Sequence, residues 1–161
     1  MNRSRVQFDK NAIFFPFGFY VNCKINLYNL SLALPNDIQI QNSNTCWFCI
    51  DNSTITIENS YFQPLLSPTL FLLARSDINL IDSLFEQIEV VDDCSLIKYY
   101  VDEIETTNFF SYYNAKFVNV SFYEIKSDVS TNGMLIGFSH ANTIVSFQRC
   151  IFAKNLARKL L

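Results

Sequence analysis

Glycine and proline are scarce in this chain, three and four residues among 161, yet a chain of this length must turn many times. Asparagine takes over the turns, because it tolerates the left-handed backbone region better than other non-glycine residues and bonds its own turn. Charge is also thin, at 17% of residues against roughly 25% in ordinary globular chains. With a net charge of −3 and no basic stripe, nucleic-acid binding is excluded as a reading. Histidine occurs once, at His140, so a Ser-His-Asp, Cys-His or histidine-rich metal centre would rest on one residue beside Phe138-Ser139. The five cysteines (23, 46, 49, 94 and 150) are odd in number and scattered. They do not read as a disulfide framework, although an oxidising compartment would permit one or two bridges. No long apolar run exists. Ala12 to Val21 is too short to span a bilayer, and Asp9, Pro16 and Gly18 make it a poor signal peptide.

What the chain has in quantity is apolar and aromatic surface. Half its residues are hydrophobic, with 16 phenylalanines and 8 tyrosines, enough for one domain with a substantial core. Their order repeats. Leu27-Tyr-Asn29-Leu-Ser-Leu32, Ile57-Glu-Asn59-Ser-Tyr-Phe62, Leu80-Ile-Asp82-Ser-Leu-Phe85, Phe117-Val-Asn119-Val-Ser-Phe122 and Phe147-Gln-Arg149-Cys-Ile-Phe152 share one shape. Two residues upstream stand Ile25, Ile55, Ile78, Ala115 and Val145; three residues downstream, Leu65, Ile88 and Ile125 recur.

The period-two alternation makes these segments strands with one buried face. A second apolar run precedes most of them: Ile13 to Tyr20, Cys46 to Ile50, Leu70 to Ala74, Leu96 to Val101 and Leu135 to Phe138. Successive motifs end 30, 23, 37 and 30 residues apart, which suits one coil of a solenoid plus loops of unequal length. Coils stacked about 4.8 Å apart would align Asn29, Asn59, Asp82 and Asn119 at one corner, where their side chains can bond along the stack. Arg149 breaks that column. Leucine-rich repeats place their asparagine one residue later than Ile57-Glu58-Asn59 does, and an antiparallel sandwich needs hairpin signals of which only Asn132-Gly133 is present.

The pattern Ile-x-Ile-x-Asn-Ser-x-Phe, followed by Ile or Leu three residues on, resembles the right-handed parallel β-helix (pectin-lyase-like) repeats of large ciliated-protist proteins. The resemblance covers residues 13 to 155. It implies an all-β, right-handed parallel β-helix of about five irregular coils, and a secreted or surface-associated setting without assigned activity. Residues 1–12 read as a polar N-terminal extension, 13–155 as the repeat domain, and 156–161 as a tail or cap. Ala153, Leu156, Ala157, Leu160 and Leu161 follow helical spacing, so a short C-terminal helix is one expectation and the start of another coil the other. Exposed terminal strands would permit end-to-end self-association.

Candidate sites are few. Cys46-Trp47-Phe48-Cys49 has the spacing of a redox or metal motif, but no helix follows to activate a thiol and no second pair completes a zinc set. In a regular strand the two sulfurs would face opposite sides, so the pair reads as buried or half-buried wall residues. The acidic doublets Asp92-Asp93 and Asp102-Glu103 read as solvated turns, without the Gly-His-Gly and Arg-Ile-Lys elements of polygalacturonases. The chain therefore reads as non-enzymatic, with no catalytic residue, metal or cofactor assigned. The aromatic segment is the better binding argument: Tyr99, Tyr100, Tyr112 and Tyr113 can form a patch for a glycan face or a protein partner. The expected function is a non-catalytic scaffold displaying loops, with a carbohydrate-binding or degenerate carbohydrate-active domain as the alternative. Sequons at Asn2, Asn29, Asn52 and Asn119 bear on function only in a secreted chain.

Overall fold

The computed structural model describes residues 4–7, 18–33, 46–63, 65–67, 69–90, 95–100, 112–127, 135–138 and 143–157. Among them the chain is all strand. A wall sheet holds β2 (Gly18–Val21), β5 (Cys46–Asp51), β9 (Thr69–Ala74), β13 (Ile97–Tyr99) and β17 (Ile136–Phe138). A motif sheet holds β3 (Lys24–Tyr28), β6 (Thr54–Glu58), β10 (Asp77–Ile81), β14 (Tyr113–Val118) and β18 (Thr143–Gln148). An aromatic sheet holds β1 (Ser4–Gln7), β4 (Leu30–Ala33), β7 (Tyr61–Phe62), β11 (Leu84–Glu86), β15 (Ser121–Tyr123) and β19 (Ile151–Ala153). A short sheet holds β8 (Leu65–Ser67), β12 (Ile88–Val90), β16 (Lys126–Ser127) and β20 (Leu156–Ala157).

Each pass of the chain adds one strand to the wall, motif and aromatic sheets in turn, and from β7 onward to the short sheet as well. The pairings are parallel throughout, which overturns the antiparallel alternative and is compatible with a β-solenoid. Register follows the sequence columns. Leu27, Ile57, Leu80, Phe117 and Phe147 are paired in one line. Leu32, Phe62, Phe85, Phe122 and Phe152 form the next. Ile55, Ile57, Phe62, Ile78, Leu80, Phe85, Phe117 and Phe122 are all fully buried. The phenylalanines stack face to face along the column, Phe62 to Phe85 at 4.5 Å and Phe85 to Phe122 at 5.1 Å between centroids.

The corners explain how so little glycine suffices. Eleven described non-glycine residues have φ between 45° and 54°, and they fall in three columns. Asn22, Asn52 and Arg75 turn the wall into the motif sheet. Asn29, Asn59, Asp82, Asn119 and Arg149 turn the motif into the aromatic sheet. Gln87, Glu124 and Lys154 turn the aromatic into the short sheet. At eight of these corners the backbone N–H donates to the next coil, as from Asn59 to the Ile81 carbonyl at 3.1 Å and from Asn119 to that of Gln148 at 2.8 Å. Left-handed backbone costs an ordinary residue about 1–2 kcal/mol, and these inter-coil bonds help hold it. Arg149 was expected to break its column; it keeps the corner backbone, at φ 53°. Position in the stack overrides side-chain preference there.

Directly after the corners lie buried serines. Ser60 donates to the Glu58 carbonyl and accepts from the Leu30 N–H, while Ser83 donates to the Ile81 carbonyl and accepts from the Ser60 N–H. Ser53 and Ser76 repeat this at the other corner, Ser53 taking the Cys23 N–H and Ser76 the Ser53 N–H. Each hydroxyl serves as both donor and acceptor, which is what a buried hydroxyl requires.

The C-terminal helix is not formed over the described residues. Ile151–Ala153 and Leu156–Ala157 are strands paired to β15 and β16, because Lys154, at φ 54°, makes the corner instead of continuing a helix. Asn155 takes the place that Ile88 and Ile125 hold in the preceding coils. Its amide accepts from the Ile125 N–H and donates to the Phe122 carbonyl.

Candidate functional site

The Cys-Trp-Phe-Cys stretch departs from the regular strand that its sequence suggests. Cys46, Trp47 and Phe48 are buried in succession, as are Thr69, Leu70 and Phe71 on the neighbouring strand. Alternation fails where the Leu70 and Phe71 N–H groups both donate to the Leu96 carbonyl, two residues against one, as in a β-bulge. The Cα atoms of Cys46 and Cys49 are 5.9 Å apart, against about 10 Å for three steps along an extended strand. Their sulfurs are joined as a disulfide. The expected divergence is thus corrected, while Cys46 is buried and Cys49 half-buried, as wall residues are. The pair sits opposite Thr69 and Leu72 in register.

Among the described residues, the other two thiols stand at the ends of the serine columns. Cys23 occupies the serine position on the first coil, with its sulfur 3.6 Å from the Ser53 hydroxyl. Cys150 occupies it on the last, donating to the Phe117 and Gln148 carbonyls. The repeat alone accounts for both. His140, Asp92-Asp93, Asp102-Glu103 and Cys94 lie outside the described residues.

The structure separates the four tyrosines. Tyr99 is buried at 3% exposure, its hydroxyl donating to the Asn114 carbonyl at 3.4 Å. Burial, and secondarily the Asp77 carboxylate, push its pKa well above the ordinary tyrosine value. Tyr113 is half-buried, whereas Tyr100 and Tyr112 are 45% and 64% exposed. Burial alternates along β13 and β14, so adjacent tyrosines differ in their exposure.

Tyr112 and Tyr113 edge a groove of about 540 Å³ that follows the Asn22, Asn52 and Arg75 corners. Four of its polar side chains bond to groups of neighbouring coils. The Arg75 guanidinium grips Asp51 through two bonds of 2.9 and 2.6 Å, and the Asn52 amide donates to Asn22 at 2.5 Å. Asp77 accepts the Asn114 backbone N–H at 2.7 Å. Lys24 and Thr54 complete a floor in which formal charges of both signs occur. Such a surface suits hydroxyl- or amide-bearing ligands better than a strongly charged one.

A second, smaller groove of about 370 Å³ follows the next corner column, past Asn59, Asp82 and Asn119. There the Asn119 amide donates to Asp82 at 2.6 Å. Tyr61 lies at its edge and donates its hydroxyl to Glu86, whose bond raises the tyrosine pKa. At the third column Glu124 accepts from Gln87 at 3.0 Å and from Lys154 at 3.4 Å, and Lys154 lies over the Tyr123 ring. These two partners hold the Glu124 carboxyl below its ordinary range, with Gln87 the larger cause.

Sequence reasoning missed the serine columns and the Asp51–Arg75 pair. The signal for the serines was present as Asn52-Ser53, Arg75-Ser76, Asn59-Ser60 and Asp82-Ser83. Among the described residues no group of three or more His, Cys, Asp or Glu side chains is placed to hold a metal ion, and no helix is long and apolar enough to cross a membrane. No protein-family model, no curated protein and no solved structure matches this chain.

Proposed function

We propose that this chain is a non-catalytic interaction module built as a right-handed parallel β-helix of the pectin-lyase-like kind, displaying loops and exposed rings at fixed positions. One observation carries the reading: at the corner grooves Asn22, Asn52, Arg75, Asp77, Asp82 and Asn119 spend side-chain bonds on groups of neighbouring coils. Their geometry serves coil-to-coil cohesion, leaving the exposed rings of Tyr100 and Tyr112 as contact groups. An exposed aromatic face on a rigid support contributes contact area at little conformational cost.

The groove edged by Tyr112 favours a second reading, a carbohydrate-binding domain, since a ring beside amide and hydroxyl groups matches the two faces of a sugar. Binding to a glycan array, with a Tyr100→Ala/Tyr112→Ala double variant as control, separates the two. Signal in the wild type and none in the variant supports the carbohydrate reading. Signal that survives the substitutions removes the aromatic patch from the argument. Release of reducing ends or unsaturated uronates from polysaccharides by the wild-type chain would overturn the non-catalytic reading.

A further inference from the structure

Exposed large apolar side chains concentrate at the two ends of the stack. Val21 and Tyr28 lie on the first coil, each 56% exposed, and Phe147 and Phe152 on the last, each 48% exposed. Three more on the last coil, Ile144, Ile151 and Leu156, occupy outward columns that are largely polar elsewhere. Ile144 ends the column of Lys24, Thr54, Asp77 and Asn114. Ile151 follows Ser31, Tyr61, Leu84 and Ser121, and Leu156 follows Leu66, Glu89 and Lys126. At Ile144, Ile151 and Leu156 the last coil therefore adds exposed apolar side chains to those of Phe147 and Phe152.

The ends also differ in hydrogen-bond polarity. At every paired corner the left-handed residue donates its N–H forward, to the carbonyl just before the next coil's corner. The last coil carries that donor at Arg149, and the first coil carries the matching acceptor of the same corner column at the Tyr28 carbonyl. A donor end fits an acceptor end. Two last coils facing each other would instead oppose Arg149 and Lys154 to their own copies.

We propose that copies of this chain join head to tail, the last coil of one seating on the first coil of the next and continuing the columns. Phe147 then meets Leu27, and Phe152 meets Leu32, as each does one coil earlier with Phe117 and Phe122. The contact is heterologous, so it propagates unless an end is blocked. β1 extends the aromatic sheet one strand beyond β2 and β3. The neighbour's β17, β18 and β19 find β2, β3 and β4 at one level once β1 yields its place on β4, which makes β1 a competitor for that place.

Sedimentation velocity of the full chain over a concentration series tests this. The wild type is expected to form concentration-dependent dimers and longer species. A last-coil variant, Ile151→Ser/Leu156→Lys, and a first-coil variant, Val21→Asp/Tyr28→Glu, carry residue types that other coils hold in or beside those columns. Each is expected to raise the dissociation constant at least tenfold, with far-UV circular dichroism checking that strand content is kept. Mixed together, they are expected to give dimers and nothing longer, because one intact head and one intact tail remain. Val6→Pro, which weakens β1 pairing, is expected to tighten association several-fold. A wild type that stays monomeric throughout would overturn the proposal, as would association sensitive to the last-coil variant alone.

Discussion

Asn59 holds φ at 50°, and its neighbours in the column do the same with Asn, Asp or Arg side chains. Asn59→Ala keeps the corner but loses the residue type that tolerates it, at a cost of about 1–2 kcal/mol. Asn59→Gly is expected within about 1 kcal/mol of wild type, and urea unfolding of the two variants distinguishes them. Ser83→Ala removes the acceptor for the Ser60 N–H, and a buried N–H so orphaned costs about 1–3 kcal/mol. Tyr99 gives the fold an alkaline limit. Its folded pKa lies above the unfolded value of 10.0, so the neutral ring's contribution is complete below pH 10 and declines as pH rises from there toward the folded value. Alkaline unfolding is expected to begin above pH 10, and Tyr99→Phe to shift that onset upward.

At the scale of elements, the phenylalanine column ties four successive coils together through stacked rings. Phe85 is fully buried between Phe62 and Phe122, and Phe85→Ala is expected to cost about 3–5 kcal/mol by chemical denaturation. The Cys46–Cys49 bridge contributes far less. It closes a loop of only four residues, so its removal by Cys46→Ser/Cys49→Ser is expected to lower stability by no more than about 2 kcal/mol. The columns were legible in the sequence because alternation and spacing are local properties, readable at Ile55, Ile57 and Phe62 alone. The bulge was not legible, since it depends on one carbonyl, Leu96, reaching two N–H groups on a strand 26 residues earlier. The same holds for the candidate site. Aromatic residues near 99–113 were visible as a cluster, but which rings face outward follows from strand phase. Lys154, a good helix former, became a corner because its place in the stack required one.

For the whole molecule, contacts run mainly between adjacent coils, as in other stacked-repeat proteins. Amide exchange is therefore expected to be slowest in β6, β10 and β11 and fastest in β3, β18 and β19, which lie at stack ends. Uniform protection along the stack would contradict that expectation. The corner ladders have a consequence for how such a chain can lengthen. Asn59 and Asp82, like Ser53 and Ser76, stand 23 residues apart, and the bonds given for these residues stay within a coil or reach an adjacent one. A segment of that length, copied in frame and in tandem, would bring its own corners, serines and phenylalanine with it. Both new junctions would repeat contacts the chain already makes, so gene duplication could add a coil here without inventing an interface.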